Sequence, residues 1–149
     1  MASIEPIAEL TARRYLVFEA GARRCACPME VVREIVAMRA ATRLPGAPPW
    51  VLGLVNLRGA LVVVADLSAR FGVRRTGGRG EVLVTEVLGK TLGVLVDGVR
   101  DVMTFDDGRL EAVEGERAAD GVVSHLAYAG DDQVLVCDVE ALARQALIL

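Results

Sequence analysis

The sequence predicts a mainly β protein made of two small barrels of about five strands each, lying side by side. Three observations carry that reading. Short apolar runs rich in Val and Leu recur along the chain, bounded by Gly, Pro, Asn and Asp, which is the pattern of strands and hairpins. The pattern is also written twice. Val32-Arg33-Glu34-Ile35 returns 67 positions on as Val99-Arg100-Asp101-Val102, and the run Val62 to Leu67 returns 72 positions on as Val134-Leu135-Val136-Cys137-Asp138-Val139. Self-similarity at a near-constant spacing marks a duplicated unit. Finally, 53% of the 149 residues are apolar and only 4% aromatic, so the core is aliphatic. Barrels this small are marginal alone, and a shared apolar seam between them is expected.

The elements follow in order. Residues 1–13 read as a mobile lead-in with a helical turn over 5–12, and residues 14–149 as one domain. Strands are expected over 15–20 and 25–28, around the turn Gly21-Ala22-Arg23-Arg24, then a helical turn over 29–32 and a strand over 33–38. Pro45-Gly46-Ala47-Pro48-Pro49 is a loop that helix and ladder both exclude. The stretch 51–66 is a hairpin hinged at Arg58-Gly59, where glycine tolerates a positive φ. Its second run, Leu61 to Ala65, barely alternates, as a strand covered on both faces would. A short helix over 67–72 and a basic, Gly-rich linker over 74–80 close the first half. The second half repeats the scheme: strands over 81–88 and 91–96 around Gly89-Lys90, a strand over 99–105, and a polar stretch over 106–120 with little core material. A hairpin over 122–137 turns at Gly130-Asp131-Asp132, and the helix 139–149 is apolar at 139, 142, 143, 146 and 147. The subdomains are expected over about 14–73 and about 80–138.

Several functions are argued against by the residues. A net charge of −3 disfavours a general nucleic-acid binder, and acids scattered among the pairs Arg13-Arg14, Arg23-Arg24 and Arg74-Arg75 make each pair a solvated turn. No run approaches the roughly 18 apolar residues that span a bilayer. The first ten residues carry Glu5 and Glu9 and no basic region, so they are no secretory signal, and a cytoplasmic protein is expected. Cys25, Cys27 and Cys137 are an odd set for disulfides. The Cys25-x-Cys27 spacing in a strand is too tight for zinc, so the thiols are expected as small buried hydrophobes and no metal or cofactor is implied. His125, the single histidine, lies in an apolar run as a packed or edge residue, and no nucleophile motif or phosphate loop occurs. Asp66, Asp97 and Asp138 each end an apolar strand and are expected to cap the turn or helix that follows. No catalytic residue is expected.

Asn56 and Arg58 stand out as polar residues at the tip of an oily hairpin, and the second copy reads Tyr128 and Gly130 there. Asn56-Leu57-Arg58-Gly59, preceded by Val51-Leu52-Gly53-Leu54-Val55 and followed by an apolar strand ending in Asp66-Leu67, resembles the signature of the CheW family, the adaptor proteins of bacterial chemotaxis arrays. Further matches lie in Pro28-Met29-Glu30-Val31-Val32-Arg33-Glu34-Ile35 and in Gly93-Val94-Leu95-Val96-Asp97-Gly98-Val99, and the resemblance covers residues 15–142. One departure is visible: Val63-Val64 stands where the family has a proline before the Asp.

The resemblance implies two SH3-like barrels with a groove between them. It also implies a non-enzymatic scaffold that couples chemoreceptors to a CheA-type histidine kinase. The receptor's helical signalling tip would lie in the groove near Arg58, and the kinase regulatory domain, which shares the fold, would dock barrel-end to barrel-end. The chain would then reach membrane-bound receptor arrays through its partners, with no insertion of its own. The receptor-facing set would be Glu34, Arg58, Asn56, Val55, Leu57, Gly59, Val32 and Ile35. An arginine fork can hold Glu34 and still offer donors to a partner. An ordinary surface ion pair remains the alternative for both Arg58 and Glu34, and plain turn geometry for Gly53 and Gly59. Val32, Ile35 and Val36 fit either core or groove. A divergent adaptor that binds receptors and not the kinase is the nearest rival, and a small-barrel nucleic-acid binder the more distant one.

Overall fold

The computed structural model describes residues 12–75 and 78–147. Among these described residues twelve strands are arranged in two six-stranded sheets. In chain order they are β1 (Ala12–Ala20), β2 (Arg23–Pro28), β3 (Val32–Ala37), β4 (Ala41–Thr42), β5 (Val51–Leu57) and β6 (Ala60–Asp66), then helix α1 (Leu67–Arg70). The second half supplies β7 (Glu81–Val87), β8 (Lys90–Val96), β9 (Gly98–Asp106), β10 (Glu111–Ala112), β11 (Val123–Ala129) and β12 (Asp132–Cys137), then helix α2 (Val139–Leu147). Single 3-10 turns at Met29–Val31, Asp107–Arg109 and Gly115–Ala118 complete it. The expected lead-in lies outside the described residues as far as position 11, and β1 already contains Ala12 and Arg13.

The mainly β, two-sheet architecture with a C-terminal helix is as the sequence predicts, but the sheets do not divide at the linker. One sheet runs β10-β11-β12-β2-β1-β9 and the other β3-β7-β8-β6-β5-β4. Each half therefore gives its first hairpin to the other half's sheet, and division into 14–73 and 80–138 splits both sheets. Each exchanged hairpin is joined on both sides, by an antiparallel pair (β1 with β9, β7 with β3) and by a parallel one, with Val63 opposite Leu92 and Leu135 opposite Cys25. The parallel pairs are one contact written twice, since Val63 and Leu135 are repeat-mates at the 72 spacing and Cys25 and Leu92 at the 67 spacing. The antiparallel registers agree: Leu16 faces Val102 as Leu83 faces Ile35. Sequence self-similarity showed the repeat and could not show the exchange, because a run of Val and Leu fits either neighbour.

The exchange explains why the apolar runs alternate so little. Leu16, Phe18, Cys25, Cys27, Leu83, Leu92 and Val94 point into a central seam, together with Leu142 and Ala143 of α2. The opposite faces of the same hairpins fill the barrels: Tyr15, Val17 and Ala26 in one, Val82, Val84 and Leu95 in the other. Phe105 near the end of β9 and Ala127 on β11 share a core although β9 is an edge of that sheet, so the sheet is rolled. On β6 the two-sided burial holds from Val62 onward, whereas Leu61 is 68% exposed. The expected two-residue turn Gly89-Lys90 sits one place earlier, at Leu88-Gly89, both at positive φ.

Helix entry is a capping matter. Asp66 Oδ1 accepts from the Ala69 amide at 3.3 Å and Asp138 Oδ1 from the Ala141 amide at 3.1 Å, which makes both the N-caps expected of them. Burial pushes the Asp66 carboxyl up, opposed by that same amide bond. Asp97 differs, because it holds Arg75 Nε at 3.2 Å and so ties the linker down. Arg75 is 17% exposed and also donates to the Gly78 carbonyl, so it is an anchor and not a solvated turn residue.

The hairpin β5–β6 carries a bulge between Val51 and Gly53. Gly53 has φ +130°, and a Cβ there would lie 2.0 Å from the Thr42 carbonyl oxygen on β4. Gly53→Ala is therefore expected to lower stability by more than about 2 kcal/mol, read as a fall in the thermal midpoint; an unchanged midpoint would show that β4 yields freely.

Candidate functional site

The Arg58-Gly59 turn joins β5 to β6 with both residues at positive φ, +53° and +85°, the geometry of a type I′ hairpin. Asn56 Oδ1 accepts from the Gly59 amide at 2.9 Å and braces the turn from inside. Glycine suits such a position, and the second copy has it: Gly130 takes φ +65° where Arg58 stands in the first. A side chain there costs about 1 kcal/mol. Nothing local repays that. The Arg58 Nη1 to Glu34 Oε2 distance is 3.4 Å, with the two side chains 78% and 34% exposed, and an ion pair so wet contributes about 0–1 kcal/mol. The arginine is thus held out on a rigid tip at no net gain to the fold.

Around it the eight expected residues sort by depth. Glu34 and Ile35 lie on the edge strand β3, with Ile35 40% exposed. Asn56, Arg58 and Gly59 are exposed at the tip. Val55 and Leu57, expected in the same surface, are instead buried in the barrel core, 0% and 6% exposed. The strand pleat sends them inward as it sends Asn56 and Arg58 outward. Val32 packs partly buried against the seam. Two shallow hollows flank the guanidinium, one bounded by Arg39, Ala40 and Asn56 and the other by Ile35, Val36 and Leu57. Arg39 was not legible, because it follows β3 in no motif, and Leu61, opposite Asn56 and outward-facing, read as core.

A groove of about 340 Å³ does run between the two sheets, where Val31 and Val87 face Tyr15, His125, Val139 and Glu140. Arg58 does not line it, so the tip and the groove are separate features. His125 is half-buried there, its Nδ1 2.9 Å from Ser124 Oγ.

The cysteines behave as small hydrophobes. All three are free and buried, with Cys25 and Cys27 both turned to the seam. Burial, with the neighbouring Cys25, pushes the Cys27 thiol up to about 12. A hydrogen bond with Cys25, then burial, pushes the Cys137 thiol up too. Among the described residues no group of three His, Cys, Asp or Glu is placed to hold a metal ion.

The family profile described as the CheW-like domain matches residues 14–147. The chain belongs to that family. A chemotaxis protein CheW of Rhizobium meliloti (strain 1021) is 37% identical over 97 residues, which is 64% of this chain and 63% of the relative. The chain thus spans less than two thirds of the curated relatives it matches first. A chemotaxis protein CheW of Klebsiella aerogenes is 24% identical over 95% of this chain and 89% of its own length. The crystal structure of the scaffolding protein TtCheW from Thermoanaerobacter tengcongensis superposes with a TM-score of 0.76 at 25% identity, covering 85% of this chain and 84% of that one. The CheW-like fold accounts for the two sheets and the C-terminal helix.

Two outcomes follow from the site. Arg58→Gly should leave the thermal midpoint unchanged or raise it, by up to about 1 kcal/mol of stability, because it relieves the left-handed strain; a clear loss would make Arg58 a structural residue. A maleimide should leave Cys27 and Cys137 of the folded protein unmodified at neutral pH, where the scarce thiolate and the closed seam both oppose reaction, and modify all three cysteines in denaturant. Fast modification of the native chain would show an open seam.

Proposed function

We propose that this CheW-like chain is a non-enzymatic adaptor that couples chemoreceptors to a CheA-type histidine kinase in a chemosensory array. The observation that carries it is Arg58, a guanidinium 78% exposed on a strained tip whose repeat-mate is glycine. An arginine placed where neither turn geometry nor its ion pair favours it is best accounted for by a partner. Its Nη1 is engaged with Glu34 while most of the side chain stays open to solvent, and Ile35 lines the same hollow beside it. The relatives named chemotaxis protein CheW, and the scaffolding protein whose fold it shares, support the same reading.

The partners in this reading are the helical signalling tips of receptors, at the Arg58 face, and the kinase regulatory domain, at a barrel end. Receptors would hold the adaptor at the membrane surface, and no helix among the described residues is long and apolar enough to cross a bilayer. An adaptor performs no chemistry; it couples its partners by contacting the kinase-on and kinase-off arrangements with different free energies. Purified protein titrated separately with a receptor signalling-tip fragment and with a kinase regulatory domain tests each arm. Arg58→Ala and Arg58→Gly should each weaken receptor binding more than tenfold, about 1.4 kcal/mol, with the fold intact. Undiminished receptor binding by both variants would remove Arg58 from the site.

A further inference from the structure

The repeat also shows where one copy is covered and the other open. The described part of the linker between α1 and β7 lies closely on the body. The Val73 amide donates to the Ser68 carbonyl at 2.9 Å, and Arg75 Nε holds Asp97 at 3.2 Å. Gly80 has so little room that a Cβ there would lie 2.7 Å from Arg75 Nη2. Val73 also covers the buried turn residue Gly21, whose Cβ position is 3.4 Å from the Val73 Cβ. The residues that the linker touches have repeat-mates: Glu140 for Ser68, Glu30 for Asp97, Arg13 for Gly80 and Leu88 for Gly21. These mates border open space. Arg13 and Glu140 line the 340 Å³ groove between the sheets, and Arg13 and Glu30 line a neighbouring hollow of about 380 Å³. Leu88, next to the groove residue Val87, is 44% exposed and held at φ +54°.

We propose that the occupant of this groove is the chain's own residues 4–10, docking between the sheets where the linker lies in the first copy. By the 67 spacing, residues 4–11 are the mates of 71–78, and both segments lead straight into an exchanged hairpin, at β1 and at β7. Arg13 lines both hollows, so the segment begins at the groove, and its eight residues reach up to about 29 Å from there. The chemistry follows the difference between the two places. The linker brings Arg75 to Asp97 and close enough to Asp66 for its charge to act on that carboxyl. The mate of Arg75 is Ala8, and the residues around Ala8 include Ile4, Ile7 and Leu10. The groove offers them Tyr15, Val31, Val87, Leu110 and Val139. Apolar area thus meets apolar area where the first copy pairs charges. A partner entering the groove then has to displace a segment tethered beside it. The inference stands on the repeat and the groove, and does not rest on the adaptor reading.

A nitroxide on Ser3→Cys, read by NMR on the full chain against the same label reduced, tests it. Wild type carried through the same labelling controls for the native cysteines. The ring protons of His125, the single histidine, and the methyls of Val87 and Val139 should lose most of their intensity. The methyls of Leu61, beside the Arg58 tip, should keep theirs. Ile7→Asp with Leu10→Asp in the labelled chain should restore the lost signals, with melting confirming the fold. Isotope-enriched chain without nitroxide, mixed with unenriched labelled chain, should show no broadening, because each segment docks on its own groove. Sharp His125 and Val87 signals in the labelled chain would overturn the proposal. So would broadening that survives the two aspartates, as a tether alone would give, or broadening in the mixture, which would put the segment on a second copy.

Discussion

Four strand pairs between the halves, β6 with β8 and β2 with β12 in parallel and β1 with β9 and β3 with β7 antiparallel, hold this molecule together in a way that fixes most else about it. Because each half lends its first hairpin to the other's sheet, those hairpins are covered on one face by a barrel core and on the other by the seam. Tyr15, Leu16, Val17 and Phe18 are each 3% exposed or less, although they alternate between two different cores. Separating the two halves of the chain would unpair strands in both sheets as well as open the seam, a far larger penalty than parting two domains across an ordinary interface. The two barrels meet across that seam, where Leu16, Phe18, Leu83 and Leu92 share one core with Leu142 of α2.

The repeat separates what the fold needs from what it does not. Contacts present in both copies belong to the scaffold: Arg33 with Glu86 at 3.2 Å and Arg100 with Glu19 at 2.8 Å are repeat-mates, as are the two aspartate caps. The Arg100 hydrogen bond holds the Glu19 carboxyl below the usual carboxylate range. Contacts present in one copy only need another reason. Arg70 is such a case. It lies 5.5 Å from the Trp50 ring, donates to Gln145 at 2.8 Å and to the Ala119 carbonyl at 3.1 Å, whereas its repeat-mate is Leu142 and that of Trp50 is Val122. Its partners lie on three elements from both halves, so it is a clasp between α1, α2 and the turn before β11, and that structural role suffices. Among the described residues Arg58 has no such partner beyond Glu34, and the same test leaves it without a structural explanation.

Much of this could be read from the chain. Element positions followed from turn residues and apolar runs, because Gly, Pro and Asp act locally and leave their mark whatever the neighbours are. The duplication was visible in residue types, and its spacings carried over into the strand registers. Partner choice was not visible: a two-sided Val-Leu strand has no feature saying which hairpin lies beside it, so the exchange between halves went unread. The same limit governs the site. Arg58, Glu34 and Asn56 announced themselves as polar residues in an oily context. Val55 and Leu57 fall in the same expected set because they are adjacent in sequence, and adjacency in a strand means opposite faces. Arg39 joins the site through space alone.

Under the proposed function, the strain at the tip has a physical use. A guanidinium on a long side chain loses conformational freedom when a partner fixes it, commonly about 0.5–1.5 kcal/mol. Here the backbone beneath it is a two-residue turn, locked by the Asn56 bridge to Gly59, and the fork is already steered by Glu34. Part of the ordering is therefore met in folding and not in binding. The strain of a left-handed arginine is of the same order as what that preorganisation saves, so the fold gives up about as much stability as the contact gains. Such an exchange costs the isolated protein stability and is favourable only where a partner is present, so under the proposed function the arginine is accounted for by what docks on it and not by what lies beneath it.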